Sequence, residues 1–106
     1  MSVLEIIKRN FEDEVIFSDR PMLLLYYDSQ SADNNAIFEI LEEIAEENMN
    51  IKVGVLAAES EEKLLARFEV TSLPTFLVLK TGRVKGRALG KRSKEELLEL
   101  LKIVMD

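Results

Sequence analysis

The spacing of apolar and polar positions changes from segment to segment, and each change predicts an element. Residues 22–27, Met-Leu-Leu-Leu-Tyr-Tyr, are apolar on both faces, as in a central strand covered from both sides. Behind a polar stretch at 28–35, Ala36, Ile37, Ile40, Leu41, Ile44 and Ala45 recur at i, i+3 and i+4. That spacing predicts an amphipathic helix with Glu42, Glu43, Glu46 and Glu47 outward. Asn48-Met49-Asn50 ends it. Residues 51–56 read as a second central strand. Leu64, Leu65 and Phe68 mark a helix led by Ser60, Glu61 and Glu62, and acidic residues suit the dipole of a first turn. Strands at 75–80 and 84–89, joined at Thr81-Gly82, predict an antiparallel hairpin. Ser93-Lys94-Glu95-Glu96 is a capping box opening a terminal helix with Leu97, Leu98, Leu100, Leu101 and Val104.

The start of the chain supports two readings. Ser2 and Glu5 have capping-box spacing, while residues 3–7 are equally acceptable as a short strand. Asn10 suits the N-cap of a short helix carrying Phe11, Val15 and Ile16, and Ser18-Asp19-Arg20-Pro21 is turn chemistry. Alternating strands and helices of this order predict an α/β fold. It is a three-layer α/β/α sandwich with a mixed central sheet, the last strands antiparallel.

Length narrows this to one domain, residues 1–106, and the mix of 47% hydrophobic and 32% charged residues is that of a globular chain. The longest apolar run, 22–27, falls far short of the ~20 residues of a membrane span. Without an export signal, the cytoplasm is the expected location. A net charge of −6 argues against bulk nucleic-acid binding. The chain has no cysteine and no histidine. Disulfides, thiolate nucleophiles, Cys/His metal sites and imidazole catalysis are therefore excluded. No metal or other cofactor is expected.

Several segments together carry a resemblance. They are residues 10–15 (Asn-Phe-Glu-Asp-Glu-Val), 18–23 (Ser-Asp-Arg-Pro-Met-Leu), 40–45 (Ile-Leu-Glu-Glu-Ile-Ala), 70–75 (Val-Thr-Ser-Leu-Pro-Thr) and 80–82 (Lys-Thr-Gly). With Gly90 ahead of Ser93-Lys94-Glu95-Glu96-Leu97, they closely resemble the thioredoxin family over nearly the whole chain. The resemblance implies a cis peptide bond at Leu73-Pro74 and a groove in which the backbone of Leu73 pairs with an extended peptide. It also implies a redox centre at Gln30-Ser31-Ala32-Asp33-Asn34, where the family has Trp-Cys-Gly-Pro-Cys. Ser31 and Asn34 replace the two cysteines. Disulfide exchange needs an attacking thiolate and a resolving thiol, and a serine hydroxyl cannot substitute. Two further positions agree: the family's buried aspartate is Leu25 here, and the lysine facing it is Val55.

The resemblance thus implies a redox-inactive member binding an unidentified protein or extended peptide without covalent capture, as a monomer or weak dimer. Tyr27, Gln30, Ser31, Ala32, Leu73, Pro74 and Gly90 would form its groove. Two readings compete. One carries over the family's thiol–disulfide oxidoreductase activity by likeness; the other is a non-redox enzyme using Ser31, Asp33 and Asn34, which lacks an obvious base. A third option is a structural subunit with a vestigial groove. Residues 28–39 begin with Asp and end with Glu like a calcium loop, but Ala32 and Asp33 occupy a ligand and the turn position. Ser31 or Asp33 as a helix cap is the simpler reading. Residues 80–94 hold seven basic and no acidic residues. Arg83, Lys85 and Arg87 alternate, predicting one shared strand face that either protects a sheet edge or meets an acidic partner. Tyr26 and Tyr27 face opposite sides of their strand, Tyr26 toward core and Tyr27 toward the groove.

Overall fold

The structure, a computed structural model, describes residues 2–60 and 62–105. Five strands, β1 (Val3–Glu5), β2 (Met22–Tyr27), β3 (Lys52–Ala57), β4 (Thr75–Lys80) and β5 (Arg83–Leu89), form one sheet in the order β1-β3-β2-β4-β5. β1 and β2 flank β3 in parallel, and β4 and β5 add antiparallel strands. Helices α2 (Asn34–Glu47) and α4 (Lys94–Leu101) bury Ile37, Leu41, Ile44, Leu97 and Leu101 against Leu23, Leu25, Val53, Phe76 and Val78. The other face carries Leu24, Tyr26, Leu56, Leu77 and Leu79. It is covered by Phe11 and Val15 and by α3 (Glu62–Arg67) with the residues just after it. Both faces of β2 are buried, as its uninterrupted apolar run requires.

The ambiguous start resolves as a strand: Val3 pairs with Val53 and Glu5 with Val55, so Ser2 and Glu5 form no capping box. Helix α1 (Lys8–Phe11) begins before Asn10, which is therefore inside the helix and not its N-cap. Asn10 Oδ1 accepts from the Ile7 N–H at 2.8 Å, and its Nδ2 donates to the Glu5 carbonyl at 2.9 Å, tying the helix to β1. A π-helical turn follows at Glu12–Ile16, closed by the Phe17 N–H on the Glu12 carbonyl. Along α2, Ala36 is exposed and Glu42 is half-buried, so the apolar stripe starts one residue later than predicted and one glutamate turns inward. Ser60 lies in a 3₁₀ turn at Ala58–Ser60, and Glu61 is outside the described residues.

Sequence reasoning treated Lys52 only as part of a strand. It is buried, with Nζ 2.6 Å from Glu14 Oε1 and donating to the Glu14 carbonyl at 2.6 Å. The charge is tolerated because it is both paired and hydrogen-bonded. The hairpin forms at Thr81 and Gly82, both at positive φ (50° and 77°), as a two-residue turn demands. A Cβ on Gly82 would sit 2.5 Å from the Ile16 carbonyl oxygen.

Beyond the turn the strand departs from its predicted alternation. Val78 pairs with Gly86 but Leu79 with Val84, which leaves Lys85 as an extra residue in a bulge. Cross-strand partners point to the same side, so Arg87 shares the face of Leu77 while Arg83 takes the opposite one. The three basic residues do not share a face. Arg87 instead donates to the Phe68 carbonyl at 2.9 Å, closing the end of α3. Among the described residues no helix is long and apolar enough to cross a membrane.

Candidate functional site

Between β2 and α2 the chain has few apolar residues to bury, and hydrogen bonds hold it instead. Asp28 organises the turn: its carboxylate accepts from the Gln30 N–H at 2.9 Å, and its carbonyl accepts from the Ser31 N–H at 3.0 Å and Asn34 Nδ2 at 2.9 Å. Ser31 Oγ accepts from the Asp33 N–H at 3.2 Å. From across the surface, the Glu59 carboxylate accepts from the Ser29 N–H at 3.1 Å. Hydrogen bonds from Ser29 hold the Glu59 carboxyl below its ordinary range.

Neither Ser31 nor Asp33 caps α2 as expected. Asp33 occupies the N-cap position with helical dihedrals (φ −82°, ψ −9°), and its side chain makes no capping bond. An N-cap normally has extended dihedrals, which aim its side chain at the free N–H groups. The Asp33 carboxylate pairs with Lys91 Nζ at 3.2 Å.

That ion pair joins the loop to a second segment. Lys91 follows Gly90, whose N–H donates to the Pro74 carbonyl at 2.8 Å. Gly90 has φ +87°, and the space where a Cβ would project is open, so the backbone conformation rather than crowding calls for glycine. The Leu73–Pro74 peptide bond is cis. Leu73 is 38% exposed, and its N–H and C=O have no hydrogen-bond partner among the described residues. Thr75, immediately after, is buried and donates to the Ser72 carbonyl at 2.6 Å. The loop carrying Gln30, Ser31 and Ala32 is therefore linked through Asp33 and Lys91 to Gly90, and through Gly90 to Pro74.

Tyr27 goes elsewhere. Its ring meets Phe38 edge to face at 5.1 Å, and it lines a depression of about 410 Å³ with Val3, Glu5, Phe38, Glu42 and Val55. None of the other proposed groove residues lines it. Burial first, then the charges of Glu5 and Glu59, raise the Tyr27 hydroxyl above its ordinary pKa. Sequence reasoning missed Phe38 and Glu42 here. The available signal was their i, i+4 spacing, one turn apart along the flank of α2. Tyr26, on the other face, is fully buried and donates to the Leu64 carbonyl at 2.9 Å.

In the core cluster that α2 and α4 cover, Leu25 and Val55 are register partners on neighbouring strands, both buried. No ionisable side chain occupies either position. No base hydrogen-bonds to Ser31 among the described residues, and no group of three or more metal-ligating side chains gathers there. What the surface presents is hydrogen-bond donors and acceptors and a little apolar area. It presents no sulfur nucleophile.

Comparison with known proteins agrees with this architecture. The family model described as Thioredoxin matches residues 2–103. The chain is 30% identical over 100 residues to a thioredoxin of Haemophilus influenzae, covering 93% of this chain and 94% of that protein. A Rickettsia bellii thioredoxin is 29% identical over 93 residues (86% and 88%). A "Bifunctional thioredoxin reductase/thioredoxin" of Mycobacterium leprae is 27% identical over 103 residues, 96% of this chain but only 22% of that longer protein. With no cysteine anywhere in its sequence, the chain lacks the family's two-thiol centre. Its sheet order, its helices and the match across residues 2–103 nevertheless make it a member of the thioredoxin family.

Proposed function

We propose that this chain is a redox-inactive thioredoxin-like domain that binds an extended segment of a partner protein reversibly, with no covalent step. The observation carrying the proposal is Leu73: an exposed residue whose backbone donor and acceptor have no partner among the described residues, beside the Pro74–Gly90 hydrogen bond. A partner strand satisfies both groups by strand addition. Gln30, Ser31 and Ala32 lie on the loop that the Asp33–Lys91 pair ties to Gly90 and so to Pro74, and the open space at Gly90 lets another backbone approach closely. Without covalent capture, affinity rests on a few hydrogen bonds and modest area. It is expected in the micromolar range, on the order of −8 kcal/mol or weaker.

The test begins by capturing a partner from the native organism and titrating its binding segment calorimetrically. N-methylation of the segment's amides one at a time is expected to abolish binding at the position that meets Leu73, with amide resonances of Leu73, Ser31 and Gly90 shifting on titration. Binding indifferent to every N-methyl group sinks the strand-addition reading. Disulfide-reduction assays with insulin are expected to give the rate of the buffer alone, and catalysed reduction by the pure protein is the result that rejects redox inactivity.

A further inference from the structure

The depression beside β1 has a composition of its own. Val55 is buried at its base and Val3 is partly buried, while Tyr27 and Phe38 stand perpendicular to one another at 5.1 Å. Glu5 is exposed and Glu42 half-buried, which puts two carboxylates at the rim of an otherwise apolar hollow. Neither has an ion-pair partner among the described residues, whereas Glu14, Asp33, Glu43, Glu47 and Glu99 each have one. Among the described residues, no basic one lines the hollow. The charges of Glu5 and Glu59 both reach the Tyr27 hydroxyl, so the negative field extends to the aromatic wall. Low-dielectric walls concentrate such a field on whatever enters.

Charge and shape together select the occupant. A small inorganic cation would leave the apolar walls unused, and a purely apolar side chain would leave the carboxylates unanswered. Lysine and arginine combine a hydrocarbon stem with a cationic head, and both are attracted to aromatic faces. We propose that this hollow receives a lysine or arginine side chain of a partner protein, its stem against Val3, Val55 and the two rings and its head between Glu5 and Glu42. The docking point is separate from the surface around Leu73 and stands or falls without it.

Amide-resolved NMR titration of the intact chain provides the test, using acetyl-Gly-Leu-Lys-Leu-Gly-amide and the same peptide with norleucine or glutamate in place of lysine. The lysine peptide is expected to give saturable shifts at Val3, Tyr27, Phe38 and Val55 and to bind about tenfold more tightly than the norleucine peptide. Added salt weakens that preference, and the glutamate peptide binds least. The double substitution Glu5→Gln with Glu42→Gln, at partly exposed sites, is expected to keep the native spectrum and bring the lysine peptide to the norleucine level. Phe38→Leu is a second variant that lowers affinity while sparing both carboxylates. Equal binding of all three peptides overturns the proposal, as do shifts confined to other residues or no saturable shift up to about 10 mM peptide.

Discussion

Helices α2 and α4 lie on the same face of the sheet, yet they begin in opposite ways. At α4 everything needed is local: Ser93 Oγ accepts from the Glu96 N–H at 3.1 Å, and Glu96 Oε1 accepts from the Ser93 N–H at 2.8 Å. At α2 the residue in the capping position makes no capping bond, and the preceding loop is held by Glu59 and Lys91, respectively 30 and 58 residues distant from their partners. The closed box serves stability. The α2 start instead adds long-range contacts from Glu59 and Lys91 to the local hydrogen bonds of its loop, and Lys91 ties it to the segment at Gly90 and Pro74.

The largest disturbance comes from the core that both helices cover. Leu25→Asp places an unpaired carboxylate where the side chain is fully buried, and is expected to cost about 3–5 kcal/mol in denaturant unfolding. Adding Val55→Lys on the register partner should recover part of that loss. Ser93→Ala removes a complete box and is expected to cost about 1 kcal/mol, seen as a lower denaturation midpoint with an unchanged slope. Asp33→Ala removes only an exposed ion pair, so less than about 0.5 kcal/mol is expected from the same measurement. A loss at Asp33 equal to that at Ser93 would erase the distinction between the two helix starts.

Acid titration sharpens the comparison further. The Ser93 backbone N–H holds the Glu96 carboxyl below its ordinary range, and hydrogen bonds from Ser29 do the same for Glu59. A folded-state pKa below the unfolded value means stability that is present above the unfolded pKa, about 4.3, and lost as pH falls through the folded one. The stability gaps separating wild type from Glu96→Gln and from Glu59→Gln should therefore narrow as pH falls below that value, as followed by unfolding curves from pH 7 to pH 3. A gap independent of pH would show that the carboxylate charge contributes nothing to either helix start.

The same contrast explains what could be read before the structure. The both-faces-apolar run at 22–27, the Thr81-Gly82 turn and the Ser93 box are local signals, and each appears where it was expected. Asn10 was misplaced by one helical turn because helix onset depends on where β1 releases the chain. The choice of strand over cap at Ser2 depends on β3, more than forty residues away. At the candidate site, the cis peptide bond at Leu73-Pro74 was legible through resemblance. The Asp33–Lys91 pair, the turn of Tyr27 toward Phe38 and the burial of Lys52 against Glu14 were not. Each depends on a tertiary contact that no periodicity encodes.

The extra residue at Lys85 has an effect reaching beyond its own strand. By rotating the register midway, it projects Arg83 above the sheet and Arg87 below it. A foreign chain sliding alongside β5 encounters cationic side chains whichever way up it arrives, and the kink denies it a straight ladder to continue. One inserted lysine thus closes this flank of the molecule to indiscriminate lengthening of the sheet.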